Sequence, residues 1–232
     1  MDIGGILKNS TIDYPGKLSC GIFLSGCNFD CPYCHNPELV KGCSMTTAES
    51  DPQNVYRFIE NRKGFLDGVV ISGGEPTLQK DLFDLCEHIK QMGYPVKLDT
   101  NGSRPQVIQR LLAEGLVDYI AMDLKTDPLK YATYIQPNCN VSAILSSIEI
   151  IMASATAYEF RTTCVKPIVT AEVVENICRL IEGAGLYALQ RFHKSEMLHP
   201  DFFKDANYEY SYDELMQLKE VASPWVKQCI VR

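Results

Sequence analysis

The sequence predicts an α/β fold in which about six strands alternate with helices. Three observations support this prediction: short apolar runs recur along the chain, stripes of apolar residues at helical spacing separate them, and polar motifs follow the runs. This order indicates a parallel sheet with crossover helices, either open or curled into a barrel. In such folds ligands bind beyond the carboxyl ends of the strands, so the polar motifs mark the expected site.

The predicted strands are short runs of apolar and β-branched residues, at 18–24, 68–71, 95–98, 119–122, 158–165 and 186–192. Helix starts are predicted at the capping residues Asp51, Thr77, Thr170 and Ser211. Residues 1–17, rich in Gly, Asn, Ser and Pro, are expected to be an irregular lead-in. We expect one domain, with its core at 18–195 and a C-terminal extension at 196–232.

Composition narrows the class of protein. The chain has 232 residues, 46% of them hydrophobic, and a formal net charge of −7 without a cluster of basic residues, which argues against nucleic-acid binding. The N-terminus lacks a basic segment followed by an apolar run, and no apolar stretch is long enough to span a bilayer, so we expect a cytoplasmic protein without a membrane partner. The ten cysteines are then expected to be thiols, most of them buried in the core.

Three of the cysteines form a compact motif. Cys27, Cys31 and Cys34 lie within eight residues at the spacing C-x₃-C-x₂-C, with Gly26 before them and Pro32 among them. Iron–sulfur clusters are held by cysteine thiolates, usually four of them. Three local thiolates would leave one iron of a 4Fe–4S cluster open to another ligand, which is a property of reaction sites rather than of structural sites.

A structural zinc site is the alternative for this motif. His35 follows Cys34 directly, and a Cys₃His set is a known zinc arrangement. Adjacent side chains have difficulty reaching one ion together, although Cys20 or Cys43 would also serve as a fourth ligand. The spacing favours the iron–sulfur cluster and leaves zinc open.

A glycine pair follows the second predicted strand. Gly73 and Gly74 permit close approach of the backbone to a ligand, with exposed amides. They also suit a simple turn at the end of a strand. Glu75 favours the ligand interpretation, since its carboxylate can accept a hydrogen bond from a ligand ammonium.

Charged side chains mark the ends of later strands. Asp99 and Asp123 occupy matching strand ends, where they could share a cation or each cap a loop. Lys125 could pair with Asp123 or bind a carboxylate of a ligand. Arg161 is the single basic residue in its predicted strand at 158–165, and in the interior it would need an anionic partner. His193 could donate to a ligand or lie on the surface.

Together these motifs resemble a known superfamily. The three cysteines, with an aromatic residue before the last, and Gly-Gly-Glu-Pro at 73–76 resemble the radical S-adenosylmethionine (SAM) enzymes. Asp-Thr-Asn-Gly at 99–102 and Asp-Leu-Lys at 123–125 are similar to motifs of the glycyl-radical-enzyme activases. The segments 9–17 and 34–38 look most like those of the anaerobic ribonucleoside-triphosphate reductase activating proteins.

The resemblance implies a partial, open TIM-like (β/α)₆ barrel with one 4Fe–4S cluster, held by Cys27, Cys31 and Cys34. The methionine part of SAM would chelate the fourth iron through its amino and carboxylate groups. The positions implied to contact the cofactors are Tyr33, Cys34, His35, Gly73, Gly74, Glu75, Thr100, Asn101, Asp123, Leu124, Lys125, Arg161 and His193. Asp99, Thr100 and Asp123 match a monovalent-cation site near the carboxylate of SAM.

The function that the resemblance implies is reductive cleavage of SAM to generate a glycyl radical on a partner enzyme. The expected partner is anaerobic ribonucleoside-triphosphate reductase, and the expected electron donor is a flavodoxin or ferredoxin. Three alternatives stay open: an activase of a pyruvate formate-lyase-like enzyme, a radical SAM enzyme acting on a small molecule, and a zinc-stapled binding module. Metal content and the identity of the partner separate them.

Overall fold

The computed structural model describes residues 1–42, 51–193, 197–204 and 207–232. Its strands are β1 Ile3–Ser10, β2 Ser19–Leu24, β3 Gly68–Gly73, β4 Val96–Thr100, β5 Tyr119–Asp123, β6 Ala157–Cys164, β7 Tyr187–Arg191 and β8 Cys229–Val231. Its α-helices are α1 Pro37–Val40, α2 Pro52–Glu60, α3 Leu82–Gln91, α4 Pro105–Ala113, α5 Tyr131–Tyr134, α6 Val141–Ala153, α7 Ala171–Leu180 and α8 Tyr212–Ala222. Within the described ranges, no helix has the length and apolar character needed to cross a membrane.

The predicted fold class is confirmed. The six predicted strands correspond to β2–β7, helices alternate with them, and strand order follows chain order. β1 and the three-residue strand β8 stand at the two ends of that order in the described chain, so the strand order is open rather than closed into a barrel. The chain divides into two compact units. The first unit consists of Met1–Asn28, Glu38–Thr100 and Gln106–Ile120, and the second of Phe29–Pro37, Asn101–Pro105 and Ala121–Arg232.

In the first unit β2, β3 and β4 run parallel, with Ser19 opposite Gly68 and Val69 opposite Val96. The prediction of an irregular segment at 1–17 is wrong for its first half, because β1 pairs antiparallel with β2. Glycine misled the prediction. A Cβ atom on Gly4 would lie 2.1 Å from the Leu39 side chain, so the absence of a side chain serves close packing rather than a loop.

In the second unit β6, β7 and β8 run parallel, with Phe160 opposite Tyr187 and Tyr187 opposite Cys229. The three-residue strand β8 was not predicted from the sequence. It follows α8, whose capping box at Ser211 and Glu214 is confirmed, as are the predicted N-caps at Asp51 and Thr170.

The predicted cap at Thr77 is wrong. Thr77 lies inside the short 3₁₀-helix Pro76–Leu78, whose first backbone amide groups are capped by Glu75, and α3 begins only after Asp81. The proline after Glu75 starts this extra turn, because its fixed φ suits the first position of a helix.

Most of the isolated cysteines are core residues, as predicted. They lie on strands or helices with little or no exposed surface: Cys20, Cys86, Cys164, Cys178 and Cys229. Cys139 is only partly buried, and Cys43 lies outside the described residues. Burial raises the pKa of each of the five core thiols, to about 11 for Cys20 and Cys229 and to about 12 for the others. At neutral pH these thiols are therefore protonated and unsuited to bind a metal.

Candidate active site

The cysteine motif begins at the end of the first unit and continues into the second. Cys27 and Cys34 are partly exposed and Cys31 is buried, and none of the three forms a disulfide. Cys31 and Cys34 belong to one turn, since the amide of Cys34 donates to the carbonyl oxygen of Cys31 at 3.0 Å. The positive φ of Gly26, +89°, explains the glycine that starts the motif.

Backbone hydrogen bonds fix the second-unit part of this loop. The amides of Asp30, Leu198 and His199 donate to the carbonyl oxygens of Ile135, Cys34 and Pro32 at 3.0 to 3.1 Å. The loop is also flanked by an imidazole, because Nε2 of His199 lies 2.8 Å from a carboxylate oxygen of Asp30. The conformation of the cysteine turn therefore does not depend on a bound metal.

The glycine pair after β3 is required by close backbone contacts in the first unit. The amide of Gly74 donates to the carbonyl oxygen of Leu24 at 2.8 Å, and the amide of Glu75 donates to that of Gly26 at 2.8 Å. A Cβ atom on Gly74 would lie 2.1 Å from Gly26 O, and one on Gly73, whose φ is +121°, would lie 2.3 Å from Leu24 N. The prediction of an exposed amide is therefore wrong for Gly74, whose N–H is used within the chain.

Glu75 has a structural role that the sequence did not reveal. Its side chain is fully buried, and Oε1 accepts from the backbone amide of Thr77 at 3.1 Å and from the hydroxyl of Thr100 at 2.8 Å. The carboxylate thus caps the 3₁₀-helix and links the ends of β3 and β4. A hydrogen bond from a ligand ammonium to Glu75 stays a prediction.

Asp99 is paired with a cation of its own strand. Oδ1 contacts Nζ of Lys97, and Oδ2 accepts from the hydroxyl of Ser72 at 3.2 Å. Lys97 is fully buried, and its Nζ lies 5.9 Å from the ring centroid of Tyr119. Sequence reasoning did not identify Lys97, although it meets the criterion that was applied to Arg161: it is the single basic residue of a predicted strand.

A second charged cluster lies in the second unit. Arg161 Nε is 2.7 Å from Oδ1 of Asp123, and Lys125 Nζ is 2.8 Å from Oδ2. The expected anionic partner of Arg161 and the expected pairing of Lys125 with Asp123 are therefore confirmed. Burial alone would raise the pKa of Asp123, but Arg161 and then Lys125 hold it well below its usual range. Burial likewise opposes the charge of Lys125, and Asp123 nevertheless raises the pKa of that ammonium.

Two further predicted site residues, Leu124 and Asn101, mainly make backbone or local contacts. The amide of Leu124 donates to the carbonyl oxygen of Arg161 at 2.8 Å, and its own carbonyl oxygen accepts from Thr162 Oγ1 at 2.8 Å. The side chain of Leu124 is buried. Asn101 is also buried, and its Oδ1 accepts from the amide of Ser103 at 2.9 Å. Their predicted contacts with SAM stay predictions.

Aromatic residues surround the end of the cysteine motif in the second unit. Tyr33 is buried and its hydroxyl donates to the carbonyl oxygen of Lys125 at 3.3 Å. The ring of His35 lies 5.0 Å from that of Phe192, which the sequence did not mark as a site residue. Partial burial, and then the neighbouring His193, lower the pKa of His35. His193 itself is exposed. A planar base could stack in such surroundings.

Nothing in the described ranges supports a mononuclear metal site, because no three His, Cys, Asp or Glu side chains there are gathered around one point. The zinc alternative gains no support, since Cys20 is buried with a raised pKa. A cluster makes a different demand, because its cysteines bind different irons and need not converge on a single ion. Three thiols outside disulfides, in a turn held by backbone hydrogen bonds, fit that demand.

Comparison with known proteins places the chain in a family. Residues 22–181 match the model of the Radical SAM superfamily. A Methanocaldococcus jannaschii protein whose name assigns it to the glycyl-radical enzyme activating enzymes is 35% identical over 99% of this chain and 95% of its own length. The pyruvate formate-lyase-activating enzyme of Listeria monocytogenes is 36% identical over 50% of this chain and 49% of its own.

Solved structures agree on the fold. The S-adenosylmethionine-bound structure of Streptococcus suis SuiB superposes with a TM-score of 0.64 at 12% identity, covering 91% of this chain and 51% of that one. The match to the family model covers more than half of the 232 residues. The chain therefore belongs to the radical SAM superfamily and is an enzyme of the radical SAM type.

Proposed function

We propose that this enzyme reductively cleaves SAM and generates a glycyl radical on a partner enzyme, anaerobic ribonucleoside-triphosphate reductase. The observation that carries the proposal is the likeness to the M. jannaschii protein, which extends over nearly the whole length of both chains. The segments at 9–17 and 34–38 favour the reductase as the partner. A pyruvate formate-lyase-like partner is the second candidate, supported by the half-length match to the Listeria enzyme.

In this proposal Cys27, Cys31 and Cys34 each bind one iron of a 4Fe–4S cluster, and SAM binds the fourth. When bound, the cluster would supply the one electron that cleaves the S–C5′ bond of SAM, with methionine as the leaving group, and an α-hydrogen of the partner's glycine would move to the 5′ carbon. The protein itself binds, orients and excludes water. The backbone-held turn at Cys31 and Cys34 presents thiolates without a large rearrangement.

The polar residues of the site would orient SAM. The methionine amino group donates hydrogen bonds, so we assign its recognition to an acceptor, the carbonyl oxygen of Gly74. Lys125 and Arg161 carry two positive charges against the single negative charge of Asp123, which leaves this cluster cationic. A net positive charge there would attract the carboxylate of SAM.

Aromatic residues would hold the adenine. Tyr33 is fixed by its hydrogen bond to the backbone of Lys125, and His35 lies against Phe192. Because the pKa of His35 is lowered, its ring is neutral at physiological pH and suited to stack on a base. His193 is exposed beside it and would contact the nucleoside from the open side.

The partner would dock around 36–50 and 126–140. Residues 43–50 lie outside the described residues. The second segment holds Leu129 in the 3₁₀-helix Pro128–Lys130, with 84% of its surface exposed. In this proposal the docked partner would cover Leu129. Glycine is a fitting target because, without a side chain, its backbone can enter a narrow site.

The test is a glycyl radical assay. The reconstituted enzyme, SAM, a chemical reductant and a flavodoxin or ferredoxin are mixed without oxygen with either the reductase or a pyruvate formate-lyase-like enzyme whose glycines carry α-deuterium. We expect a glycyl radical signal on the reductase, and deuterium in the 5′-deoxyadenosine, because the hydrogen moves directly from glycine to the nucleoside. A signal on the lyase alone would favour the second candidate. SAM cleavage without a radical or deuterium transfer for either partner would contradict the activase function.

A further inference from the structure

Lys97 places a positive charge beside Asp99, a residue that the resemblance assigns to a monovalent-cation site. The side chain of Lys97 is fully buried, and its Nζ contacts Oδ1 of Asp99. The two residues are two positions apart on β4, so their side chains point to the same face of the sheet. The ion pair is therefore built into one strand and does not depend on how a flexible loop is arranged.

The surroundings of Lys97 hold its ammonium at this place. A buried lysine needs a partner, because removing a charge from water is costly unless it is paired. Asp99 is the anion, and the ring of Tyr119, with its centroid 5.9 Å from Nζ, adds a cation–π contact. Asp99 is itself only 14% exposed. Both members of the ion pair are therefore largely shielded from water.

The predicted cation ligands do not fit a dissolved alkali ion. Both oxygens of Asp99 already accept, Oδ1 from Lys97 and Oδ2 from Ser72. The hydroxyl of Thr100 donates to Glu75. An alkali ion bound to Asp99 would lie a few ångströms from the Lys97 ammonium, and two like charges repel strongly where water is excluded.

Asp123, the third predicted ligand of the monovalent cation, is also paired with positively charged side chains. In the second unit Asp123 is paired with Arg161 at 2.7 Å and with Lys125 at 2.8 Å. Each candidate carboxylate is thus neutralised by side chains of its own unit. Hard cations prefer several oxygen ligands with negative charge to spare, and neither carboxylate provides it.

We propose that Lys97 supplies, as a permanent part of the chain, the positive charge that the resemblance assigns to a monovalent cation. The enzyme then holds Asp99 in charge balance, and binds and cleaves SAM, without an alkali metal ion at this residue. The part of this inference that concerns SAM rests on the proposed function, whereas the replacement of the cation by Lys97 does not.

The cluster-free protein tests the replacement alone. Thermal unfolding is compared in potassium chloride and in choline chloride at the same ionic strength, about 0.1 M, so that general screening is equal. An occupied potassium site would raise the midpoint by about 2–4 °C or more in a chain of this size. We expect no potassium-specific rise for the wild type, and such a rise would overturn the proposal without recourse to any variant.

The variant Lys97→Met removes the charge and keeps most of the side-chain length. We expect it to gain a potassium-specific rise in the midpoint, because Asp99 then lacks its cation. Lys90→Met is the matched control, since Lys90 lies 2.7 Å from Asp118 in the same unit but outside the candidate site. A folded Lys97→Met that responds to potassium no more than Lys90→Met does would overturn the proposal. If Lys97→Met does not fold, Lys97→Gln takes its place.

SAM cleavage by the reconstituted enzyme extends the test. The wild type should form 5′-deoxyadenosine at rates within about twofold in choline, sodium and potassium chloride, whereas Lys97→Met should lose about tenfold or more in choline and recover in potassium. A strict potassium requirement of the wild type would overturn the proposal. If the wild type cleaves no SAM in any salt, the proposed function fails, and the unfolding experiment still decides the role of Lys97.

Discussion

The cysteine loop at 27–34 and the core contain the same side chain, but its role differs between the two regions. In the loop, Cys27 and Cys34 are partly exposed, and the turn is held by backbone hydrogen bonds. In the core, Cys86 and Cys178 are fully buried, and burial raises the pKa of each thiol to about 12. Exposure alone does not separate the two groups, because Cys31 of the loop is 8% exposed and Cys229 of the core is 7% exposed. The hydrogen-bonded turn, rather than the number of cysteines, distinguishes the loop thiols from thiols that act as small apolar residues.

The largest expected effect is on iron content, which should depend on the cysteines of the loop and not on those of the core. Cys31→Ala should abolish both iron binding and SAM cleavage, because a cluster with two protein thiolates is not retained. Cys178→Ala, the matched control on α7, should keep full iron content and lose only about 1–2 kcal/mol of the free energy of unfolding. Iron and sulfide analysis after anaerobic reconstitution measures the first effect, and denaturant unfolding measures the second. Equal iron content in the two variants would remove the distinction.

Thiol alkylation sharpens the comparison in the wild type. With a pKa of about 12, only about one Cys178 thiol in 10⁴ is ionised at pH 8, and it is buried as well. We expect Cys34 of the cluster-free protein to be alkylated in minutes and Cys178 only after unfolding. Cluster assembly should then protect Cys34. Peptide mass spectrometry gives both extents, and rapid labelling of Cys178 in the folded protein would contradict the assignment.

The charged cluster beside the loop should also differ from charges on the surface. Asp123→Asn should cost about 3–5 kcal/mol, because it leaves Arg161 and Lys125 without their anion. Glu175→Gln is the control for an exposed pair, with Arg179 at 2.6 Å, and should cost about 0.3–0.5 kcal/mol. Urea unfolding of both variants measures the difference. A loss for Asp123→Asn as small as that of the control would show that the cluster is effectively solvated.

The sign of the pH dependence follows from the lowered pKa of Asp123. A carboxylate whose pKa is lower in the folded state stabilises the protein at every pH above its unfolded pKa, which is about 4. This stabilisation is lost as the pH falls below that value toward the folded pKa. The wild type should therefore lose more stability than Asp123→Asn between about pH 5 and pH 2. An equal loss of the free energy of unfolding in the two proteins over this pH range would contradict the assignment.

The smallest expected effect concerns the glycines that join β3 to the loop. Gly74→Ala should cost about 1–3 kcal/mol, because its Cβ atom would lie 2.1 Å from Gly26 O and the backbone must move. Gly5→Ala is the control in the same unit, since nothing lies within 4 Å of its Cβ position and its φ is not positive. It should be neutral or slightly stabilising. Thermal unfolding of the two variants measures the difference, and equal midpoints would contradict the close contact.

Features that follow from a repeating pattern of residues could be predicted from the sequence. Features that follow from contacts between particular side chains could not. The alternation of apolar runs with helical stripes was sufficient for β2–β7. Arg161 was expected to need an anion because it is the single basic residue of its strand. Lys97 carries the same signal, but its partner Asp99 is recognisable only when both are known to share one face of β4. The glycines of β1 indicated a loop because the close packing of Gly4 against Leu39 involves a residue distant in sequence.

The central claim is that three thiols of one loop hold a cluster with an open iron that SAM fills. Its most direct test is iron content and 5′-deoxyadenosine formation, measured on the same anaerobically reconstituted wild-type sample. The account predicts about four irons per chain together with reduction-dependent formation of 5′-deoxyadenosine and methionine. A protein that binds zinc instead, or a full cluster that leaves SAM intact under reduction, would contradict it.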